Sequence, residues 1–283
     1  MLRESAESVI LAAAHSRRLA GRPIVVKLGG SAMEDPTATA GVLDACLALQ
    51  TIGIRLIVVH GGGKPIDRAM ADAGLAPKKV QGIRYTDDAT LEIVVRTLLK
   101  INGELRTQYA GRGGIVGGFV GEPGVWPIHG ERMTLNGADL GHVGRVTKIE
   151  DAIRDHLAYE AMPILPSLAV GPDGNWLNVN ADSVASAIGG ALQADSVLFL
   201  TDTPGVLKDR ANPESLVPHL TVSEARTWIA EGIIAGGMIP KVEACFEALA
   251  AGAKRAVIID GRVPHTLIAL FSSDRPYGTA IVP

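Results

Sequence analysis

Three short apolar runs, Ile24-Val25-Val26, Leu56-Ile57-Val58-Val59 and Val197-Leu198-Phe199-Leu200, each lead straight into a loop rich in glycine or polar residues. Such runs lack polar alternation, so both of their faces are apolar, as in parallel strands with helices on each side of the sheet. Between the first two, Ala38 to Gln50 has helical spacing and stops before Gly53, giving a strand, loop, helix, strand unit. With 283 residues, 47% of them hydrophobic, the chain can fill the core of one large α/β domain or two modest lobes.

The longest helical pattern runs from about Thr90 to Ala110, and Asp87-Asp88 before it suit a helix N-terminus. From Gly111 to Asn180 the texture changes to glycines, short β-like pieces such as Gly144-Arg145-Val146-Thr147, and turn residues at Gly171-Pro172-Asp173-Gly174. This stretch is expected to form a lid or β-hairpin region at the sheet edge. Helix returns from Asn180 to Leu192, and Lys241 opens another helix through Ala251, followed by a strand at Ala256 to Ile259. Residues 1–22 have an apolar stripe of Leu2, Ala6, Val9, Ile10 and Ala13 at helical spacing, which must be buried on this chain or on another subunit. His15-Ser16-Arg17-Arg18 interrupts that segment, so it does not read as a secretion signal.

A net charge of -3 leaves no global basic footprint, so nucleic acid is not an expected partner. No uncharged apolar run reaches the roughly 20 residues of a membrane span, and a cytoplasmic location is expected. The two cysteines, Cys46 and Cys245, sit in apolar helical patterns and read as buried free thiols.

The chemistry lies where strands end. Lys27 in Val26-Lys27-Leu28-Gly29-Gly30-Ser31 follows the first strand, and open α/β sheets bind ligands at the carboxyl ends of strands. Glycine lets backbone N–H groups approach anion oxygens, while lysine supplies a compact charge suited to a phosphate. His60-Gly61-Gly62-Gly63 closes the second strand as an anion-binding nest before a helix. His60 itself reads as a structural hydrogen-bonding residue, since nothing nearby would orient it as a base. Lys241 follows the glycine pair Gly236-Gly237. Asn178-Val179-Asn180-Ala181-Asp182 alternates polar residues toward one face, so Asp182 is placed to hold both Lys27 and Lys241; helix capping by Asn180 is the simpler alternative. Arg84 is either a carboxylate clamp or a surface ion pair. Neither a Walker sequence nor a Gly-x-Gly-x-x-Gly fingerprint is present, which removes support for P-loop and dinucleotide readings.

Taken in order, Lys27-Leu28-Gly29-Gly30-Ser31, Val59-His60-Gly61-Gly62-Gly63, Gly82-Ile83-Arg84-Tyr85-Thr86-Asp87, Asn178-Val179-Asn180-Ala181-Asp182, Leu200-Thr201-Asp202 and Gly237-Met238-Ile239-Pro240-Lys241 resemble the amino acid kinase family over about residues 22 to 281. The resemblance implies a three-layer αβα sandwich around a mainly parallel sheet, with the acceptor on residues 23–180 and ATP on residues 181–283. It implies transfer of the ATP γ-phosphoryl to the side-chain carboxylate of N-acetyl-L-glutamate in arginine biosynthesis. A carrier-linked aminoadipate acceptor is the alternative within the family, and a catalytically silent regulatory or ligand-binding module that keeps the fold is the alternative to an enzyme.

Carried over by motif, Lys27 and Lys241 stabilise the transition state, Asp182 organises them, and Gly29 and Gly30 donate to the phosphoryl group. Gly62, Gly63, Arg84, Asn178 and Asn180 become substrate contacts. The loop Asp202, Thr203, Pro204, Gly205, Val206 and Leu207, with Ile233, Ile234 and Ala235, becomes the nucleotide site. The resemblance places Mg2+ mainly on the nucleotide phosphates and no metal on protein ligands. It also implies a homodimer, or a hexamer assembled through residues 1–22. Three departures stand out. Lys64 occupies the place where the family usually has Pro, and Gly117-Gly118-Phe119-Val120-Gly121-Glu122 matches the usual Gly-Leu-Ser-Gly segment poorly. Thr266 to Ser273 lacks the Glu that arginine-inhibited members carry after the position of His265.

Overall fold

The computed structural model describes residues 9–11, 13, 14, 17, 19, 21–80, 83–119, 121–263, 265–272 and 277–283. In chain order the first elements are β1 (Pro23–Leu28), α1 (Gly30–Glu34), α2 (Pro36–Thr51), β2 (Arg55–His60), α3 (Gly63–Asp72), β3 (Lys79–Val80), β4 (Ile83–Arg84) and α4 (Asp88–Gly111). Then come β5 (Ile128–Leu135), β6 (Ala138–Ile149), α5 (Ala152–Ala158), β7 (Ile164–Pro166), β8 (Leu168–Val170), β9 (Trp176–Asn178) and α6 (Ala181–Ala191). The last part holds β10 (Ser196–Thr201), β11 (His219–Thr221), α7 (Val222–Ala230), α8 (Ile239–Ala251), β12 (Ala256–Asp260), α9 (Thr266–Ser272) and β13 (Thr279–Val282).

Among the described residues a seven-stranded sheet runs in the order β11-β13-β12-β10-β1-β2-β7. Its neighbours are parallel except β12 and β13. The apolar runs occupy its centre, and their alternate residues feed two separate cores. Val25, Ile57, Val197 and Phe199 meet Ile188 of α6 and Val242 and Cys245 of α8 on one face. Ile24, Val26, Leu56, Val58 and Leu198 meet Leu43, Cys46 and Leu49 of α2 on the other. Each such side chain, fully buried, contributes about 1.5–3 kcal/mol, which holds the three layers together. Cys46 and Cys245 are both buried and free, on opposite sides of the sheet.

Local signals set the helix starts. Asp35 accepts a hydrogen bond from the Thr37 N–H at 2.8 Å with Pro36 in the first turn, and Asp87 accepts from the Thr90 N–H at 2.9 Å. Asn180 caps α6 through the Asp182 N–H at 2.7 Å. Gly53, at φ +89°, lets the chain turn out of α2 where a side chain would be strained.

The stretch from Gly111 to Asn180 forms more than the expected hairpin. The long hairpin β5–β6, turning at Asn136 and Gly137 with φ +50° and +80°, closes with β8 and β9 into a small barrel. The expected turn at Gly171 to Gly174 joins β8 to β9. The sequence reading did not separate β7 from this region, yet β7 belongs to the main sheet beside β2. Three residues are too few for periodicity, and Pro166 is tolerated because β7 is an edge strand. Strands β11 and β13 and helix α7 at the far edge were likewise not singled out.

Of the expected N-terminal helix, residues 9–11, 13, 14, 17 and 19 are helical, and Leu2 and Ala6 lie outside the described residues. Leu19 is buried, while Val9 and Ile10 are 68% and 66% exposed, so the described residues leave this part of the stripe uncovered.

Candidate active site

The register of the central strands sets the site. Leu28 pairs with His60 on one side and Leu200 on the other, so β1, β2 and β10 end level with one another. Their loops therefore meet where the chain has crossed from one side of β1 to the other, the place where open α/β sheets form a crevice. A cleft of about 1080 Å³ opens there. Lys27, Gly29, Gly30, Gly62, Gly63, Arg84, Asn178, Asn180, Asp202 and Lys241, drawn from six separate stretches of sequence, all line it.

Space, rather than backbone freedom, explains the first glycine. Gly29 has φ -84°, open to any residue, but a Cβ there would stand 2.5 Å from the Leu200 carbonyl oxygen and 3.3 Å from Lys27 Nζ. The Lys27 loop is thus pressed onto the end of β10, and only glycine fits. At Gly62 a Cβ would lie 2.9 Å from Leu98 of α4, whereas at Gly63 it would enter open space. Both loops expose backbone in a crevice that holds two lysines, which suits the phosphate chain of a nucleotide.

Each lysine has its own carboxylate. Lys27 Nζ lies 2.8 Å from Asp182 Oδ1. The approach direction falls outside the hydrogen-bond range, so among the described residues Oδ1 is a buried acceptor held by charge alone. Lys241 Nζ donates to Asp202 Oδ1 at 2.6 Å. This differs from the expectation that Asp182 holds both lysines. Lys241 opens α8 beside the end of β10, so Asp202 is its partner, and two like charges are neutralised separately. The hydrogen bond from Lys241 keeps the Asp202 carboxyl below its ordinary range, against the opposing effect of partial burial.

On the other wall, Arg84 donates to Asp67 Oδ1 at 2.5 Å and approaches Met70 Sδ at 3.1 Å. It makes the ion pair weighed from sequence, yet its side chain is only 13% exposed, and it lines the cleft. Gln81 and Gly82 of its motif lie outside the described residues. Asn178 Nδ2 donates to Thr86 Oγ1 at 3.1 Å, tying β9 to the Arg84 segment.

His60 is fully buried, with Nε2 3.2 Å from Asn102 Nδ2 and Nδ1 3.0 Å from the Gly61 carbonyl. Burial lowers its pKa from 6.5 to about 4, so at neutral pH it is an uncharged strut beneath the glycine loop.

Residues further along the expected nucleotide loop stand apart from the cleft lining: Thr203, Pro204, Gly205, Val206, Leu207, Ile233, Ile234 and Ala235 do not border it. The side chains of Val206 and Ile234 belong to the core. The Val206 N–H donates to Thr279 Oγ1 at 2.8 Å, pinning the loop to β13. Conversely, Glu34, Lys64, Arg145, Ser167 and Glu247 line the cleft without having been singled out as site residues. Glu247 sits on α8 in a helical pattern that reads as an ordinary solvated face. Its carboxyl is pushed up by burial, and further by the charges of Asp182 and Glu243, while a hydrogen bond from Ser183 opposes the rise.

No group of three or more His, Cys, Asp or Glu side chains among the described residues could hold a metal ion. No helix among them is long and apolar enough to cross a membrane. The arrangement offers fixed cations and backbone donors at the strand ends, which is equipment suited to phosphoryl transfer.

The model of the amino acid kinase family matches residues 22–260. An acetylglutamate kinase from Synechococcus elongatus is 38% identical over 272 residues, covering 94% of this chain and 88% of that protein. One from Moorella thermoacetica is 38% identical over 287 residues, covering 97% and 96%. In fold the chain resembles N-acetylglutamate synthase from Neisseria gonorrhoeae, solved with coenzyme A and N-acetyl-glutamate, at a TM-score of 0.82 and 24% identity. The match takes in 98% of this chain and spans 63% of the synthase chain. The chain belongs to the amino acid kinase family.

Proposed function

We propose that this chain carries acetylglutamate kinase activity: it transfers the γ-phosphoryl of ATP to the side-chain carboxylate of N-acetyl-L-glutamate, giving N-acetyl-L-glutamyl 5-phosphate in arginine biosynthesis. The observation that carries the reading is one cleft combining Lys27, Lys241 and two glycine loops in a chain 38% identical to acetylglutamate kinases along nearly its whole length. A carboxylate acceptor is ionised at neutral pH and needs no base, and His60, buried beneath the glycine loop, is a neutral strut.

In this reading the Lys27 and Lys241 ammonium groups follow the negative charge as it spreads over the transferring oxygens, and N–H groups at Gly29 and Gly30 donate to the same group. Asp182 positions Lys27, and Asp202 positions Lys241. Arg84, Asn178 and Asn180, with Gly62 and Gly63, hold the acceptor on the side of residues 23–180, and the nucleotide lies toward residues 181–283. Mg2+, carried mainly by the nucleotide phosphates, neutralises part of their charge. The protein works in the cytoplasm as a homodimer, or as a hexamer joined through residues 1–22, where exposed Val9 and Ile10 offer an apolar contact. Light scattering on protein lacking residues 1–22 tests the hexamer, which requires the particle mass to fall to that of a dimer.

The test of activity is hydroxamate formation with ATP and Mg2+, comparing acetylglutamate with glutamate, aspartate and carrier-linked aminoadipate. Turnover is expected on acetylglutamate, and its absence refutes the acceptor. Lys27→Ala and Lys241→Ala are each expected to lower turnover by two or more orders of magnitude in folded protein, on the order of what loss of a charge-stabilising group costs. Near wild-type rates in either variant contradict the assigned roles.

A further inference from the structure

The two glycine loops are joined across the cleft by an ion pair that the reaction above does not use. Glu34 ends α1, the short helix that follows Gly29, and Lys64 is the second residue of α3, just past Gly63. Lys64 Nζ donates to Glu34 Oε2 at 2.6 Å, and both side chains line the same cleft as Lys27 and Lys241. The other carboxylate oxygen, Oε1, lies 3.8 Å from where a Cβ on Gly30 would sit. A carboxylate therefore stands over the glycine loop assigned to the phosphoryl group, with a lysine attached to it. The Lys64 side chain is 71% exposed, so no packing fixes its ammonium beside Glu34.

We propose that Lys64 is a third cation of the phosphoryl site and that Glu34 is its placeholder, displaced by the phosphoryl oxygens. A carboxylate and a phosphoryl group offer Lys64 the same kind of acceptor, but the phosphoryl group carries more charge and gains more during transfer. The exchange moves Lys64 from Glu34 to the anion, and the Glu34 carboxylate, still charged and no longer held by Lys64, turns away from the anion that repels it. Lys64 thereby steadies the transferred group from the α3 side, opposite Lys241. The inference rests on the phosphoryl-transfer reading of the cleft, though not on which acceptor it takes.

The test uses the full chain and three variants, Lys64→Met, Lys64→Arg and Glu34→Gln. Two readouts are taken: kcat and KM for ATP and acetylglutamate, and inhibition by ADP with Mg2+ and aluminium fluoride, a mimic of the transferring group. Lys64→Met is expected to lower kcat by about tenfold or more, the loss of one charged hydrogen bond, and to weaken fluoroaluminate inhibition while leaving inhibition by ADP alone unchanged. Lys64→Arg is expected to recover most of both losses. Glu34→Gln is expected to act in the opposite sense, tightening fluoroaluminate inhibition. If Lys64→Met keeps wild-type kcat and inhibition, or if Glu34→Gln weakens the inhibitor as Lys64→Met does, the pair is a fixed strut and the proposal is overturned. If the wild type turns over no acetylglutamate yet shows Lys64-dependent fluoroaluminate inhibition, the acceptor assignment fails and the exchange is supported.

Discussion

Lowering the pH should weaken this fold through His60, and the size of the effect follows from its surroundings. The Asn102 amide N–H donates to Nε2, so the ring proton sits on Nδ1 and donates to the Gly61 carbonyl. A second ring proton would face the Asn102 amide hydrogens and place a charge in a fully buried site. Burial accordingly lowers the pKa from 6.5 to about 4. Between those two values the unfolded chain binds more protons than the folded one, so stability rises with pH across the window and is lost as the pH falls through it. At about 1.4 kcal/mol for each tenfold difference in proton affinity, the full window is worth about 3 kcal/mol. Urea unfolding from about pH 7 down to about pH 4 should show this loss in the wild type and a correspondingly smaller one in His60→Asn. An NMR titration provides the direct check, with the His60 ring expected to stay neutral and protonated on Nδ1 through the region where exposed histidines titrate. A His60 resonance that titrates near 6.5, or an asparagine variant with undiminished acid sensitivity, would refute the reasoning.

Two further substitutions probe contacts around the site. In Gly190→Ala the new Cβ would lie 2.3 Å from the Ala251 carbonyl oxygen and 2.5 Å from its Cβ, so α6 and α8 must separate. A loss of about 1–3 kcal/mol in thermal or urea unfolding is expected despite the better helix propensity of alanine, and unchanged stability would show that the helices yield freely. Glu247 has its carboxyl pushed up, first by burial and then by Asp182 and Glu243, so its ionised form disfavours folding once the pH rises above the ordinary glutamate range. Glu247→Gln should therefore raise the Tm at neutral pH, with the gain vanishing in acid; a gain that persists in acid would point to a cause other than charge.

The parts of the fold that could be read from residues alone are those where local chemistry and burial agree. The runs at Ile24, Leu56 and Val197 became adjacent central strands because their apolar side chains are required by both cores. Asp87 and Asn180 began helices because their side chains satisfy N–H groups in the first turn. The short strand β7 escaped notice because three residues carry no period, and its place in the sheet comes from pairing with β2.

The ligand-binding character of the cleft was legible for a similar reason: a lysine at the carboxyl end of a buried strand, with glycines directly after it, brings a cation and backbone donors together. How the charges pair was not. Lys27 and Asp182 are 155 positions apart, a separation that says nothing about contact until β1 and α6 are placed together. Asp202 as the partner of Lys241, and Glu34 as the partner of Lys64, depend on side-chain reach across neighbouring loops. By itself the sequence determined the layered sheet, the helix starts and the chemical type of the groups at the strand ends, because those are fixed by burial and by hydrogen bonds within a few residues. Only the tertiary structure decided which lysine meets which carboxylate, which glycine is required by space, and which histidine is neutral, because each of these depends on distances of a few ångströms between segments remote in the chain.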